Sequence, residues 1–539
     1  MTKLAITIGI LAISSCQEKP DSDRAGPADP PLSVLDLVKP APRPLHPSSS
    51  DPATRAVQVH CSRCHALPDP TQLTRKLWIN KVLPEMGCYL GMQQLIPQYA
   101  SFIEKGGTPE EAKLYRDRGI YPTTALIPQE EWDLIVGWFL QNSPETLPPS
   151  NNFPQPPLPD GKFEIAFVGP KNPVPETTLI HIDPIRQQFI SSDAASNSLA
   201  LHDSSGRQLA IANGPSPFTV ANTPAHSPTQ QFLAIGTLQP NDAMNGSVWS
   251  NPGSDSFSDI KISSLPLLKR PVDAVWHDLD HDGSEELIVA EYGNKTGQLS
   301  LFKEVNQGSW SRTILNHSSG NIRVEVVDMN KDGWEDLVVL RAQEFEDVLI
   351  YYNTGQLKFH ESHLLRFPPY WGNNDFDLAD WNQDGHLDLL LANGDNADST
   401  PVLKNFHGVY LYLNDRKGGF QFNQSFPLHG AYGVRSLDYD LDGDLDFVTF
   451  STFPDFEKDQ IPVQIMEQTS HLKFKTYSIP SSNNSRWIVM DVGDLDGDGD
   501  MDIIFGANLP SPSSVPQYLR DRAELLPGAF LVLKNLARR

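Results

Sequence analysis

Two sets of residues in this chain have types and spacings suited to chemistry. The first is the pentapeptide Cys61-Ser62-Arg63-Cys64-His65. Two thiols spaced CxxC and followed at once by His form the arrangement that attaches a c-type haem. The thiols add across the haem vinyl groups, and the adjacent imidazole is placed to reach the iron as proximal ligand. The same spacing occurs in zinc half-sites, thioredoxin-like pairs and structural disulfides. A four-thiol zinc site needs more Cys than this segment holds. A thioredoxin pair belongs in a βαβ context that the flanking residues do not supply. The expectation is therefore haem c on Cys61 and Cys64, with His65 as proximal axial ligand.

The second set is an acidic nonapeptide, D-x-[DN]-x-D-G-x-x-[DE], present in five copies from residue 278 onward. Its oxygen-bearing positions are Asp278, Asp280, Asp282 and Glu286; Asp328, Asn330, Asp332 and Asp336; Asp380, Asn382, Asp384 and Asp388; Asp438, Asp440, Asp442 and Asp446; and Asp494, Asp496, Asp498 and Asp502. Oxygens at positions 1, 3, 5 and 9, with a carbonyl at position 7, can encircle a hard cation, and a flexible ring of many oxygens suits Ca²⁺ better than Mg²⁺. Gly at position 6 permits the positive φ that curls such a loop. An EF-hand would place Glu at position 12, where this chain has Val289, Val339, Leu391, Thr449 and Phe505. The competing role for these Asp residues is an Asx-turn that needs no metal. Five copies in register favour Ca²⁺, up to five ions. They would bring the formal net charge from −25 to about −15.

The elements that must carry these residues follow from composition. Lys3 precedes an apolar run from Leu4 to Ile13 and then Ser14-Ser15-Cys16. A basic start with an apolar stretch of this length reads as an export signal, too short to span a bilayer as a mature helix. The Ser-Cys step resembles a bacterial lipoprotein box with Cys16 as the lipidated residue; an ordinary signal with an incidental Cys is the alternative. Residues 17–55 are Pro-rich and read as an extended tether. A second Pro-rich stretch, 143–161, separates a segment 56–142 from a long remainder, 162–539. The division is therefore signal 1–16, tether 17–55, haem domain 56–142, linker 143–161 and C-terminal domain 162–539. With Cys16 and the two haem thiols assigned, Cys88 is left over as a small buried residue, and no disulfide framework remains. The strong negative charge argues against nucleic acid and anionic membrane surfaces as partners.

The segment 56–142 is long enough for a small all-α cytochrome. Leu73, Leu77, Trp78 and Val82 have helix-compatible spacing, which predicts a helix over 71–82. A last helix begins near Pro128, with Trp132, Ile135, Val136 and Phe139 on one face. Within the segment only Met86 and Met92 bear a thioether. The stretch VLPEMGCYLGM is similar to the Met-bearing segment of bacterial cytochrome modules with an LPxMxxxLG pattern. That resemblance implies Met86 as distal ligand, although it follows Cys64 much sooner than in ordinary class I cytochromes. Met92, His60 and a vacant position remain open.

The acidic copies start 50, 52, 58 and 56 residues apart. A period near fifty with strand-like flanks predicts a propeller of roughly four-stranded blades, the loop joining two strands of each blade. The pattern resembles the FG-GAP/VCBS repeats, the family that includes the calcium-bearing blades of the integrin α-subunit propeller. Segments 178–213 and 216–262 look like degenerate blades without the acidic loop, giving seven. Residues 163–169 (FEIAFVG) are expected as the outer strand of the last blade, closing the ring. The whole resembles exported bacterial proteins that fuse a c-type cytochrome to such a propeller.

The function this implies is electron transfer by a lipid-anchored monohaem cytochrome in the bacterial cell envelope, periplasmic or at the outer membrane. The propeller would dock a redox partner protein, a small molecule or a glycan, and membrane contact would be through the N-terminal lipid only. One alternative is a propeller-based sugar or alcohol oxidoreductase using the haem as electron acceptor. Another is a carbohydrate or adhesion module. No motif for a nicotinamide, flavin or quinone cofactor stands out, which favours a carrier over an enzyme, and a single CxxCH argues against a dihaem peroxidase.

Overall fold

The strands of the C-terminal domain alternate buried and half-exposed faces according to their place in a blade. In the computed structural model, which describes residues 51–95, 109–149, 154–224, 227–253, 256–306, 308–343, 345–397 and 402–538, they form seven separate antiparallel sheets. The expected signal, Cys16 and the tether up to residue 50 lie outside the described residues. Blades 1 to 6 occupy 177–213, 218–269, 271–316, 321–367, 373–427 and 431–478, and blade 7 occupies 487–535. Blade 7 takes its outer strand, Phe163–Val168, from the opposite end of the domain. That strand pairs antiparallel with Phe530–Asn535 in a six-residue register from Phe163↔Asn535 to Val168↔Phe530. The ring thus closes as expected, and closure removes the exposed edges of an open array. Blade 2 departs from the four-strand rule: two short strands, Lys261–Ile262 and Leu268–Lys269, both pair with its third strand, making five in all.

Second strands are sandwiched between neighbouring blades and read as unbroken apolar runs because both faces are covered. Glu286–Glu291, Asp388–Asn393 and Asp502–Ala507 are buried throughout. Ile288, Leu299 and Leu301 of blade 3 pack against Leu337, Val339 and Leu349 of blade 4, and the remaining blade junctions repeat the pattern. Each such side chain contributes about 1.5–3 kcal/mol on burial. Outer strands instead alternate with solvent, as Gln208–Asn213 does.

Connections alternate between two ends of the ring. The acidic loops and the hairpins between third and outer strands share one end. The loops between second and third strands, and the crossings to the next blade, share the other. The helical segment sits on this second end. Asp51 caps α1 (Pro52–Cys61) through Thr54 N–H at 2.8 Å, so helix replaces extended chain in the last residues of the stretch read as tether. The helix expected over 71–82 differs too. A 3₁₀ turn at Pro70–Gln72 gives way at Leu73 to extended backbone, and helical geometry resumes at Arg75–Leu77, widens to a π-turn at Trp78–Val82 and runs on into α2 (Leu83–Tyr89). Asp69 and Thr74 each cap a new turn here, which side-chain periodicity alone does not register. α3 (Pro109–Asp117) follows, and α4 (Gln129–Asn142) starts after Pro128 as expected, burying Trp132, Ile135 and Phe139. α5 (Gln517–Glu524) is an excursion within blade 7. Among the described residues, no helix is long and apolar enough to cross a membrane.

Candidate functional site

Each acidic loop folds on its own side chains. The position 1 carboxylate accepts from the Gly N–H at position 6: Asp278 from Gly283 at 2.9 Å, Asp328 from Gly333 at 2.9 Å, Asp380 from Gly385 at 2.7 Å. Asp438 and Asp494 do the same with Gly443 and Gly499, both at 3.1 Å. The loop Gly residues lie at φ between 84° and 94°, the left-handed region, as their position requires. Position 4 is left-handed too, although it is held by His281, Lys331, Gln383 and Leu441 in the first four loops. The sequence carries no signal for that strain.

Position 9 does more than offer a ligand. Asp446 accepts from Tyr439 N–H at 3.2 Å with one oxygen and from Gln468 N–H on the third strand at 2.7 Å with the other. Asp336, Asp388 and Asp502 bridge the same two places through Met329 and Asn353, Trp381 and Asn414, and Leu495 and Asn535. These carboxyls are fully buried. Burial raises Asp336, Asp388 and Asp502 to about 6 and Asp446 to about 8. A cation alongside would restore their charged form.

The oxygens converge. Asp278, Asp280 and Asp282 bring ligand atoms within 4.8 Å of one another, as do Asp438, Asp440 and Asp446, and Asp494, Asp496 and Asp502. In the fourth loop, one oxygen each of Asp438, Asp440 and Asp444 is buried without a hydrogen-bond partner. Unpaired buried carboxylate oxygens are costly, and a hard cation is the partner such a set fits. In the second and third loops Asn330 and Asn382 donate to or accept from their own loop neighbours at 2.9–3.0 Å.

The inner strands line a central channel of about 930 Å³. Charged side chains alternate there with buried apolar ones: Asp273, Arg323, Glu325, Asp375, Arg435 and Asp491 around Ala274, Val324, Phe376, Val434 and Met490. Several carboxylates satisfy N–H groups of the next blade's inner strand: Asp273 takes Val324, Asp375 takes Val434 and Asp491 takes Ile182, at 2.7–3.2 Å. Arg323 pairs with Glu325 at 3.2 Å, and Arg435 with Asp375 at 2.5 Å. Burial pushes Glu325 up to about 7, against the pull of Arg323. Sequence reasoning passed over this set, although its period of two was on view just upstream of each acidic loop.

On the other end of the ring, the CxxCH segment is fastened to blade 4. Ala66 N–H donates to Phe367 C=O at 3.2 Å, and Asp69 N–H donates to the Tyr370 hydroxyl at 2.9 Å. Trp78 meets Phe139 at 4.4 Å and Tyr370 at 5.7 Å between ring centroids. Toward blades 2 and 3, Asp242 N–H donates to Glu111 at 2.9 Å and Lys295 pairs with Glu85 at 3.5 Å. One core therefore holds Val57, Trp78, Leu83, Met92, Trp132 and Phe139 together with Tyr370, with Cys61 at its edge.

Cys61 and Cys64 lie where α1 ends, neither in a disulfide, and Cys88 is buried and likewise outside any disulfide. Burial, with the Cys64 charge added, pushes the Cys61 thiol up to about 12, the opposite of a reactive thioredoxin-like thiolate. His65 is buried, and its Nδ1–H donates to Ala66 C=O at 2.9 Å. That bond selects the tautomer with Nε2 as the available lone pair. This donor set fits haem c: two thiols at CxxC spacing and an oriented imidazole. Met92 is 2% exposed within the core that Cys61 edges, whereas Met86 is half-buried on α2. His60 Nε2 is bonded to Glu131.

A protein-family model described as an FG-GAP-like repeat matches residues 278–339, 328–391 and 438–505, which contain all five acidic loops. No curated protein matches the chain. Among solved structures, the N-terminal domain of Nup159 aligns at 11% identity over 72% of this chain and 99% of that one, TM-score 0.41. Sqt1 of Saccharomyces cerevisiae aligns at 9% identity over 71% and 99%, TM-score 0.39. The Dos1 propeller aligns at 10% identity over 67% and 77%, TM-score 0.40. The fold stands on the sheet order itself: this chain carries FG-GAP-like repeats on a seven-bladed β-propeller.

Proposed function

We propose that the chain is a monohaem c-type electron carrier of the bacterial cell envelope, tethered through Cys16, whose calcium-bound propeller docks a redox partner. The observation that carries this reading is the setting of the CxxCH motif. His65 is oriented through Nδ1 with Nε2 left over, and Ala66 ties the motif directly to Phe367 of blade 4. Cys61 and Cys64 would hold the group covalently and His65 would ligate it. When bound, a haem supplies one-electron chemistry at a potential set by its axial ligands and surroundings. The protein's own share is to bury the site and brace it on a rigid ring.

Met86 is the distal candidate from its sequence context, and Met92 competes by its burial beside Cys61. Calcium fits the acidic loops, and the unpaired oxygens of the fourth loop support it. The 930 Å³ channel supports a second reading, an oxidoreductase whose small polar substrate enters the ring. The deciding experiment is expression in a host competent for cytochrome assembly, followed by acid–acetone extraction. A haem that stays with the polypeptide, and is lost in Cys61→Ser, supports the carrier. No retained chromophore refutes it. Reduction of the haem by a small alcohol or sugar alone would move the assignment to the oxidoreductase.

A further inference from the structure

We infer that the first acidic loop, 278–286, is closed by an internal cation, the ammonium of Lys303, and takes no calcium where the fourth loop does. The inference rests on the calcium reading of the loops and sharpens it by separating them. Lys303 lies on the third strand of blade 3, one residue beyond the Leu287↔Phe302 pair, and so faces position 9 of its loop. Its Nζ donates to Asp280 at 2.6 Å, to Asp282 at 2.8 Å and to Glu286 at 2.8 Å. An ammonium has three N–H donors, and each one here meets a different carboxylate. Those three carboxylates sit at positions 3, 5 and 9, where calcium would need them.

The same strand position differs from blade to blade. It follows the pairs Leu337↔Tyr351, Leu389↔Tyr412, Phe447↔Met466 and Ile503↔Leu533, which places Tyr352, Leu413, Glu467 and Lys534 there. Tyr352 and Leu413 bring no charge. Glu467 adds a carboxylate to the fourth loop, where it accepts from Tyr439. Lys534 pairs with Asp496 of the fifth loop. In the first loop one cation, Lys303, holds three carboxylates at once. Calcium entering there must expel an ammonium that a β-strand fixes in place on three carboxylates, while in the fourth loop it meets the added carboxylate of Glu467 and a single lysine contact, Lys162 to Asp440 at 3.3 Å.

The test uses the full-length protein stripped with EDTA and titrated with calcium, the bound metal being counted by atomic emission after dialysis. Lys303→Met should bind one calcium per chain more than the unsubstituted protein, and Leu413→Met should leave the count unchanged. An equal count for Lys303→Met, with the other loops filled, overturns the inference alone. Calcium bound by none of the proteins overturns the loop reading beneath it. A second measurement needs no substitution. Amine-reactive labelling of Lys303, read by mass spectrometry, should stay equally low with EDTA and with millimolar calcium, and labelling that rises with calcium overturns the inference.

Discussion

Replacing Asp446 separates the two duties that the structure gives the ninth loop residue. Its oxygens accept from Tyr439 N–H and Gln468 N–H, both buried. Asp446→Ala leaves two donors unpaired, at about 1–3 kcal/mol each, so a loss of about 2–6 kcal/mol is expected with or without metal. Asp446→Asn keeps one carbonyl acceptor and loses the charge, and about 1–3 kcal/mol is expected in EDTA. Calcium adds a separate term. At free calcium one hundred times its dissociation constant, a site stabilises the folded ring by about 2.7 kcal/mol, and neither variant should gain this at the fourth loop. Urea unfolding in EDTA and in excess calcium reads both terms. If Asp446→Ala costs under about 1 kcal/mol in EDTA, the stitching argument is wrong. If Asp446→Asn gains as much from calcium as the parent protein, Asp446 is a structural acceptor and no ligand.

Other outcomes follow from other parts of the molecule. Phe163 is buried in the closing strand and stacks on Tyr439 at 5.7 Å; Phe163→Ala should cost about 3–5 kcal/mol and expose the Phe530–Asn535 edge to protease, and unchanged proteolysis would deny that this strand closes the ring. Glu325 has its folded value raised by burial to about 7 from 4.5, with Arg323, Asp377 and Arg435 as its charged neighbours. The folded state thus binds the extra proton, so this contribution is whole below pH 4.5 and is lost as pH rises to about 7, at most about 3 kcal/mol. Glu325→Gln should flatten stability between pH 5 and pH 8, as read by denaturant midpoints; an unaltered slope would assign the effect elsewhere. Glu111→Ala leaves the buried Asp242 N–H without its acceptor and should raise hydrogen exchange in 109–117 by a factor that corresponds to about 1–3 kcal/mol. In the holoprotein, loss of the distal ligand should lower the potential; Met86→Ala and Met92→Ala, compared by visible spectrum and redox titration, decide between the two thioethers.

The ring was legible because its information is local and repeated. Gly283 and its four counterparts mark the loops, the apolar runs after them mark the sandwiched strands, and FEIAFV stands apart from any blade of its own. Less was legible where local capping or distant contact overrides spacing. The helix expected over 71–82 is broken at Leu73 because Asp69 and Thr74 cap turns of their own. The six-position preference for Gly was visible, yet left-handed His281, Lys331, Gln383 and Leu441 were not, since nothing in their side chains favours that conformation. The double role of position 9 was hidden for another reason. Its second partner, such as Gln468 or Asn535, comes from a strand far along the chain, and the metal-ligand pattern accounts for the residue without it.

The two sets of chemical residues occupy opposite ends of the ring, yet they share strands. In blade 5 the inner strand Asn373–Ala379 starts just after Tyr370 and Trp371, which pack against the helical segment, and ends at Asp380, position 1 of the third acidic loop. Seven residues of extended chain span about 23 Å, and both ends are anchored. Asn373 is held by Glu346 at 3.2 Å, and Asp380 by Gly385 at 2.7 Å. A strand anchored at one end only can fray from the other, so ordering the acidic loops stiffens the platform on which the CxxCH segment rests. The proposed electron carrier would gain from such stiffness, because transfer depends on a fixed separation between a redox group and its docked partner. That requirement gives a physical reason for joining a thiol-bearing cap to a ring whose acidic loops would take up cations at its far end.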